Sequence, residues 1–346
     1  MGTAKTVLIR TDGNPDIATG HLMRCLSIAC ALRELGAQAE FAVSDEISRR
    51  LLFSFFEEEP FPVHVLHSDF RRPESELPSL KKLLLHGPSC LLIDSYFITQ
   101  PYLEALRPLI PTAYLDDLCA FDYPVDLVIN YDFAPPADFY RLAGKKLLGC
   151  RYTPLRAQFS GLSPVSRPPD SPVRDLFVST GGTDDRNAAG KLASALLSAP
   201  ESASWRIHAL IGPMHVHREE LQVLAASHPR LILHENVKDM AGLMRGCDLA
   251  VSAAGTTLYE LCAAGVAAVS FTMADNQLSC AMDMERFAGV PCAGDVRSTP
   301  DLTGRLLSLL FSLAENPEKR KRLSRSMHAA IDGKGAERIA GELLAL

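Results

Sequence analysis

No CxxC pair occurs among the nine cysteines, which stand at 25, 30, 90, 119, 150, 247, 262, 280 and 292. No other spacing among them suits zinc, and an odd number cannot pair off within one chain, so a reducing compartment is expected. No basic block interrupts the 35 basic and 41 acidic residues, whose formal net charge of −6 is unlike that of a general nucleic-acid binder. No apolar run approaches the roughly 18 residues of a membrane helix. Residues 1–10 lead directly into a strand-like run without the apolar stretch that a signal peptide needs. These absences predict a cytoplasmic protein without stable membrane association.

What is present is an ordinary globular composition, 47% hydrophobic and 22% charged, over 346 residues. At roughly 150 residues per domain, that length predicts about two domains. Short apolar, β-branched runs alternate with longer stretches of helical period, the pattern of βα units around a parallel sheet. In the first half the expected strands are 7–10, 39–43, 62–66, 90–93, 113–115 and 127–130. A helix is expected over 21–35, with Gly36 as its stop signal. Residues 163–172 read SPVSRPPDSP, and four prolines there block both helix and ladder. This predicts a first domain over 1–162, a linker over 163–172 and a second domain over 173–346. The second has expected strands at 175–179, 206–211, 231–234, 248–252 and 267–271, and closing helices near 301–315, 317–331 and 335–345. Two α/β halves joined by a hinge put a ligand most naturally in the cleft they face.

Several strand-to-helix loops carry chemistry. The loop from Arg10 to His21 feeds the first long helix, where unpaired N–H groups and a positive dipole end meet the carboxyl edge of the sheet. Gly20 allows close backbone approach there. His21 has a side chain that ordinarily titrates at about pH 6.5, so it is either a general base or a simple cap of the helix. Phe177–Asn187 contains Gly181 and Gly182, a turn suited to phosphate or to tight capping; it lacks the P-loop ending and the GxGxxG spacing. In Asp248–Leu261, Gly255, Thr256 and Thr257 stand where a diphosphate meets a helix start, and Glu260, one turn on, can accept two ribose hydroxyls or be a solvated surface residue. Upstream, Val237 offers backbone groups to a nucleobase edge and Met240 a surface for its ring. Asn276 and Gln277 are amides suited to sugar hydroxyl or N-acetyl groups. Asp94–Tyr96, Asp116–Asp117 and Asn130–Asp132 also follow apolar runs, as ligand groups or as loop caps. The aspartate pair has no nearby His or Cys at ligand spacing, so a metal there is the minority reading; no cofactor is expected. His215 and His217 read as a solvated helix start with no role.

These segments together resemble the PseG family, the UDP-2,4-diacetamido-2,4,6-trideoxy-altropyranose hydrolases of pseudaminic acid biosynthesis, and its SpsG-like relatives. The resemblance runs nearly end to end, through IRTDGNPDIATGHLMRCLSIACAL, LLIDSY, YLDDL, DLVINYD, LLGCRYTPLR, VSTGGTD, SAAGTTLYELCAAGVAAVSF, ADNQ and DGKGAERI. It implies a GT-B fold of two Rossmann-like parallel-sheet domains, UDP held mainly by the second, no metal, and a place in nonulosonic acid and flagellin glycosylation chemistry. The family's GH histidine falls on His21 as catalytic base, its DxY tyrosine on Tyr96 and its asparagine before glutamine on Asn276, both around the sugar. The nucleotide segments of GT-B proteins map onto Gly181, Gly182, Val237, Met240, Gly255, Thr256, Thr257 and Glu260.

The implied reaction is attack of water on the anomeric carbon, with UDP departing and the configuration inverted. A glycosyltransferase of the same fold, a hydrolase of a related UDP-diacetamido-sugar from a legionaminic-type pathway, an NDP-sugar 2-epimerase and a non-catalytic binding subunit are the competing readings. A transferase often carries a membrane-docking patch. Residues 51–56, LLFSFF, are the one candidate and read as a buried helix, since Glu57–Glu59 follow and would be repelled by an anionic surface.

Overall fold

The apolar runs become strands. The computed structural model describes residues 4–17, 19–54, 61–85, 87–165, 167–168 and 171–346. In the first half, β1 (Thr6–Thr11), β2 (Gln38–Val43), β3 (Val63–Val65), β4 (Cys90–Asp94), β5 (Thr112–Leu115), β6 (Leu127–Asn130) and β7 (Lys145–Leu148) form a seven-stranded sheet. Its spatial order is β3-β2-β1-β4-β5-β6-β7, with every pairing parallel. In the second half, β8 (Asp175–Ser179), β9 (Arg206–Leu210), β10 (Leu231–His234), β11 (Leu249–Ala253), β12 (Ala268–Thr272) and β13 (Cys292–Asp295) form a six-stranded sheet ordered β10-β9-β8-β11-β12-β13, again all parallel. In each sheet the first strand lies centrally, and the chain winds first to one side and then to the other. That reversal opens a crevice at the carboxyl edge, between β1 and β4 in one sheet and between β8 and β11 in the other.

The central strands are continuous apolar runs because they are covered on both faces. All five residues of β4, Cys-Leu-Leu-Ile-Asp, are buried, and so are all of β11 and β12. Each fully buried Leu or Ile there contributes about 1.5–3 kcal/mol. The helix Gly20–Glu34 is buried over most of its circumference, since it packs on β1 and β2 and also against the C-terminal helix Gly335–Leu344. It ends one residue before Leu35, and Gly36 takes the left-handed conformation, φ +79°, that the stop requires.

The chain divides into two compact units, Met1–Ala157 with Gly333–Leu346, and Gln158–Asp332. Both differ from the boundaries expected at 162, 163–172 and 173–346. The division falls before the proline-rich stretch because part of that stretch is tied to the second unit: Arg167 pairs with Asp248 at 2.8 Å and donates to the Arg245 carbonyl. The last helix belongs with the first unit because its start presses on residues there. A Cβ on Gly335 would lie 2.1 Å from the Thr153 carbonyl oxygen. Arg338 donates to the Arg151 carbonyl at 2.7 Å, Lys145 pairs with Glu342, and Lys5 donates to the Leu344 carbonyl at 2.6 Å.

Of residues 51–56, expected as a buried helix, Leu51–Phe53 close the helix Glu46–Phe53; Leu52 is buried, and Leu51 and Phe53 are half-buried. Residues 55 and 56 and the glutamates after them lie outside the described residues. Among the described residues, no helix is long and apolar enough to cross a membrane.

Candidate functional site

His21 stands in the first turn of the Gly20–Glu34 helix, directly after the loop that leaves β1. Its Nδ1 lies 2.6 Å from Oδ1 of Asp94, the last residue of the neighbouring β4. Register explains the meeting, because β1 and β4 pair with Thr11 opposite Asp94 and so end together. With Nδ1 donating to Asp94, the neutral imidazole is the Nδ1–H tautomer and its Nε2 lone pair is the proton acceptor. His21 is 3% exposed and Asp94 fully buried.

Arg24, one helical turn after His21, completes the carboxylate's surroundings. It reaches both oxygens of Asp94, its Nε lying 2.6 Å from Oδ2, and its other terminal nitrogen donates to Asp117 at 2.8 Å and to the Tyr131 hydroxyl at 2.7 Å. Burial alone would push the Asp94 carboxyl up; the Arg24 guanidinium and His21 outweigh it and hold the group well below the usual carboxylate range. Tyr96 donates its hydroxyl to Asp117 at 3.0 Å, and its ring meets that of His21 edge-on with centroids 4.3 Å apart. One guanidinium thus ties the end of β4 to residues that follow β5 and β6.

Two further polar networks hold this edge in place. Arg10 and Glu76, both buried, form a bidentate pair at 2.6 and 2.7 Å, and Arg10 also binds Asp12 at 2.6 Å. Tyr102 donates to Glu76 at 2.6 Å, and the Ser44 N–H to Asp12 at 2.7 Å, so the start of the loop that leads to His21 is anchored on three sides. Within that loop Asn14 accepts from the N–H groups of Asp16 and Ile17, a local turn that accommodates Pro15. Asp116 accepts from Tyr123 and Tyr140 at 2.8 and 2.7 Å and from the Leu118 N–H at 3.0 Å. The aspartate pair therefore splits, Asp116 to the scaffold and Asp117 to the His21 cluster.

In the second unit, Gly181 and Gly182 follow β8, and Gly255, Thr256, Thr257 and Glu260 follow the adjacent β11, while Val237 and Met240 follow β10, and Asn276 and Gln277 follow β12. Gly181 is exposed with φ +85°, and Gly182 sits against Gly212, where a Cβ would come within 2.9 Å of the Gly182 carbonyl oxygen. Asp184 accepts from the N–H groups of Ala188 and Ala189, so the turn also caps the helix Ala188–Ser198. Gly255 precedes the helix Thr256–Ala264 and gives it no side-chain cap. The first N–H groups of such a helix have no intrahelical partner and point out at the edge. Glu260 on this helix is only 6% exposed, so it is not a solvated surface glutamate. Gln277 follows β12; its Oε1 accepts from the Met273 N–H at 2.8 Å and its Nε2 lies 3.9 Å from where a Gly255 Cβ would stand. Asn276 beside it is exposed.

The outcome for the predicted residues is therefore uneven. The structure brings His21 and Tyr96 together in the first unit, and Gly255, Thr256, Thr257, Glu260 and Gln277 together in the second. Gly20 is exposed, with open space where a Cβ would be. Val237 is half-buried in the loop after β10, and Met240 is 5% exposed at the start of Met240–Gly246, which leaves little of its surface for a ring. His215 is not a solvated helix start: its side chain is fully buried, with Nε2 3.4 Å from Asp184, because the Val216 N–H pairs with the Thr183 carbonyl and folds this turn onto the glycine loop. Arg24 was not singled out from sequence. Its signal was its spacing, three residues after His21 and hence on the same helix face. Among the described residues, no three His, Cys, Asp or Glu side chains come together in a way that could hold a metal ion.

No protein-family model matches the chain. Acinetobacter baumannii MurG superposes with a TM-score of 0.69 at 18% identity, over 99% of this chain and all of the other. The fold is that of the GT-B proteins. Staphylococcus aureus MnaA, solved with UDP, superposes with a TM-score of 0.63 at 12% identity, over 99% of this chain and 96% of MnaA. An uncharacterized protein of Methanocaldococcus jannaschii is 25% identical over 293 residues, 79% of this chain and 57% of its own length. The spore coat polysaccharide biosynthesis protein SpsG of Bacillus subtilis is 27% identical over 173 residues, 49% of this chain and 50% of SpsG. A Synechococcus N-acetylglucosamine transferase, named for UDP-N-acetylglucosamine and a pyrophosphoryl-undecaprenol acceptor, is 26% identical over 206 residues, 55% of each chain. The chain spans about half the length of these curated relatives.

Proposed function

We propose that the protein is a UDP-sugar hydrolase in which His21 is the general base. The observation that carries this reading is the buried His21–Asp94 pair at the carboxyl edge, with Tyr96 against the imidazole. Neutral His21, held by Asp94 through Nδ1–H, takes a proton at Nε2 from water as the water oxygen bonds to the anomeric carbon. The bond from that carbon to the phosphate oxygen breaks, its electron pair leaves with UDP, and the configuration inverts. A positioned base of this kind supplies on the order of 10²–10⁴-fold in rate. In the first unit, Gly20 and Tyr96 are assigned to the sugar.

In the second unit the nucleotide is assigned to the edge formed by Gly181, Gly182, Gly255, Thr256 and Thr257. The uncapped helix start offers N–H groups and a positive dipole end to the diphosphate, and it stabilises the charge that grows on UDP as the sugar leaves. Glu260 receives the ribose hydroxyls, and the backbone groups at Val237 are assigned to the base edge. The similarity to SpsG and the motif set from GHLMRC to ADNQ support 2,4-diacetamido-2,4,6-trideoxy-L-altrose as the sugar released, a step of pseudaminic acid biosynthesis, with a legionaminic-type diacetamido sugar as the nearest alternative.

The similarity to a named transferase favours a second reading, transfer of the sugar to an acceptor. Acceptor-free turnover separates the two. Purified protein incubated with UDP-diacetamido sugars and no acceptor is expected to release UDP and free sugar in equal amounts. UDP release that begins only when an acceptor is added would make the protein a transferase.

A further inference from the structure

We propose that Arg24 is a positioning residue that keeps His21 in its neutral, proton-accepting form and links that state to Tyr96 through Asp117. The inference rests on His21 being the base, and its test is designed to stand apart from that reading. The geometry carries it. Arg24 Nη2 and His21 Nδ1 are both aimed at Asp94 Oδ1 and lie 2.9 Å from each other. A second proton on His21 would therefore put an imidazolium against a guanidinium that cannot lose its own charge. Asp94 by itself would pull the other way and favour imidazolium. Arg24 offsets that pull while still leaving Asp94 free to accept the Nδ1–H, so orientation is kept without the charge that orientation would otherwise bring.

The remaining groups around His21 fit the same account. On its own helix, Cys25 donates weakly to Asp94 Oδ2 at 3.4 Å, and burial beside that carboxylate pushes the thiol up, so it stays neutral. Following β4, Tyr96 contributes a ring edge and a hydroxyl directed at Asp117. Following β5, Asp117 is the second anion on Arg24; following β6, Tyr131 accepts from Arg24, and its burial raises the phenol well above its ordinary range. The charged groups facing the imidazole are thus one guanidinium and two carboxylates, with Arg24 bound to both. Because Tyr96 and Arg24 share the same Asp117 oxygen, the guanidinium also fixes where the Tyr96 ring stands against His21.

The test is a histidine ¹⁵N NMR titration of the full chain without substrate, His21 being assigned by its loss in His21→Gln. The wild-type midpoint is the reference. In Arg24→Gln the midpoint should rise by about one pH unit or more, the scale on which a neighbouring charge acts, whereas Arg24→Lys should keep most of the wild-type position. Asp117→Asn should move the midpoint downward, because it removes an anion and leaves Arg24 less compensated. An unchanged midpoint in folded Arg24→Gln overturns the proposal. Should that variant not fold, an unchanged or raised midpoint in Asp117→Asn does so. The acid limb of kcat against pH should follow the NMR midpoint in each variant. A midpoint that moves while the limb stays put upholds the charge role of Arg24 and removes His21 from catalysis.

Discussion

His21 and Asp94, 73 residues apart in sequence, meet at 2.6 Å because the helix after β1 and the end of β4 share one carboxyl edge. Asp94→Asn keeps the shape of this contact and loses the charge. An amide can present its NH₂ to Nδ1 and select the wrong tautomer, so kcat is expected to fall by roughly 10²–10⁴-fold. UDP affinity, assigned to the other unit, should be unchanged. Steady-state kinetics paired with UDP calorimetry checks both halves of this expectation.

Asp94 also links stability to pH. Its folded pKa lies below its unfolded value of about 3.9, so its contribution to stability is complete above that value and is lost as pH falls toward the depressed folded pKa. Urea unfolding between pH 2.5 and 6 should show wild-type stability dropping below about pH 4, with a shallower drop in Asp94→Asn. Equal slopes for the two proteins would count against the depressed pKa.

Glu76→Ala tests the scaffold separately from the chemistry. It leaves Arg10 charged and buried with Asp12 as its remaining carboxylate, and breaking such a pair costs about 3–5 kcal/mol. Denaturant titration should report that loss. A cost below about 1 kcal/mol, the range of exposed pairs, would mean that the pair is far better solvated than its burial implies.

For the second unit, Glu260→Ala is expected to weaken UDP binding roughly 10- to 150-fold, the value of a hydrogen bond to a charged group at about 1.5–3 kcal/mol. Gly212→Ala acts on the same ligand from behind: its Cβ would sit 2.9 Å from the Gly182 carbonyl oxygen and 3.1 Å from the Gly182 Cα, both backbone atoms. Overpacking of this kind costs about 1–3 kcal/mol. Calorimetry should show weaker UDP binding in Gly212→Ala together with a lower Tm. Unaltered UDP affinity in both variants would remove this edge from the nucleotide site.

Elements set by local pattern were legible in the sequence, and those set by tertiary packing were not. Buried strands such as 90–93 and 175–179 are continuous apolar runs and were expected within a residue or two of where they lie. β7 and β13 were not expected. β7 begins with two exposed lysines at the sheet's edge, and β13 is Cys-Ala-Gly-Asp, without the β-branched residues that mark a strand. The C-terminal helix was legible as a helix; its partner was not, since a close approach of Gly335 to Thr153 leaves no trace in periodicity. In the candidate site, His21, Asp94 and Tyr96 stood out by following strands. Arg24 did not, because a buried arginine on a helix is recognisable only once the carboxylates it pairs with, 70 and 93 residues away, are known to converge on it.

The central claim is that His21 activates water at the anomeric carbon of a UDP-sugar. The most direct test follows UDP-2,4-diacetamido-2,4,6-trideoxy-altrose by NMR with wild type and His21→Ala, without metal or acceptor, while UDP binding is measured on the same preparations. The account predicts equal release of UDP and of free sugar with inverted anomeric configuration by the wild type, and loss of nearly all turnover with UDP binding intact in His21→Ala. Hydrolysis by His21→Ala at close to the wild-type rate would contradict it.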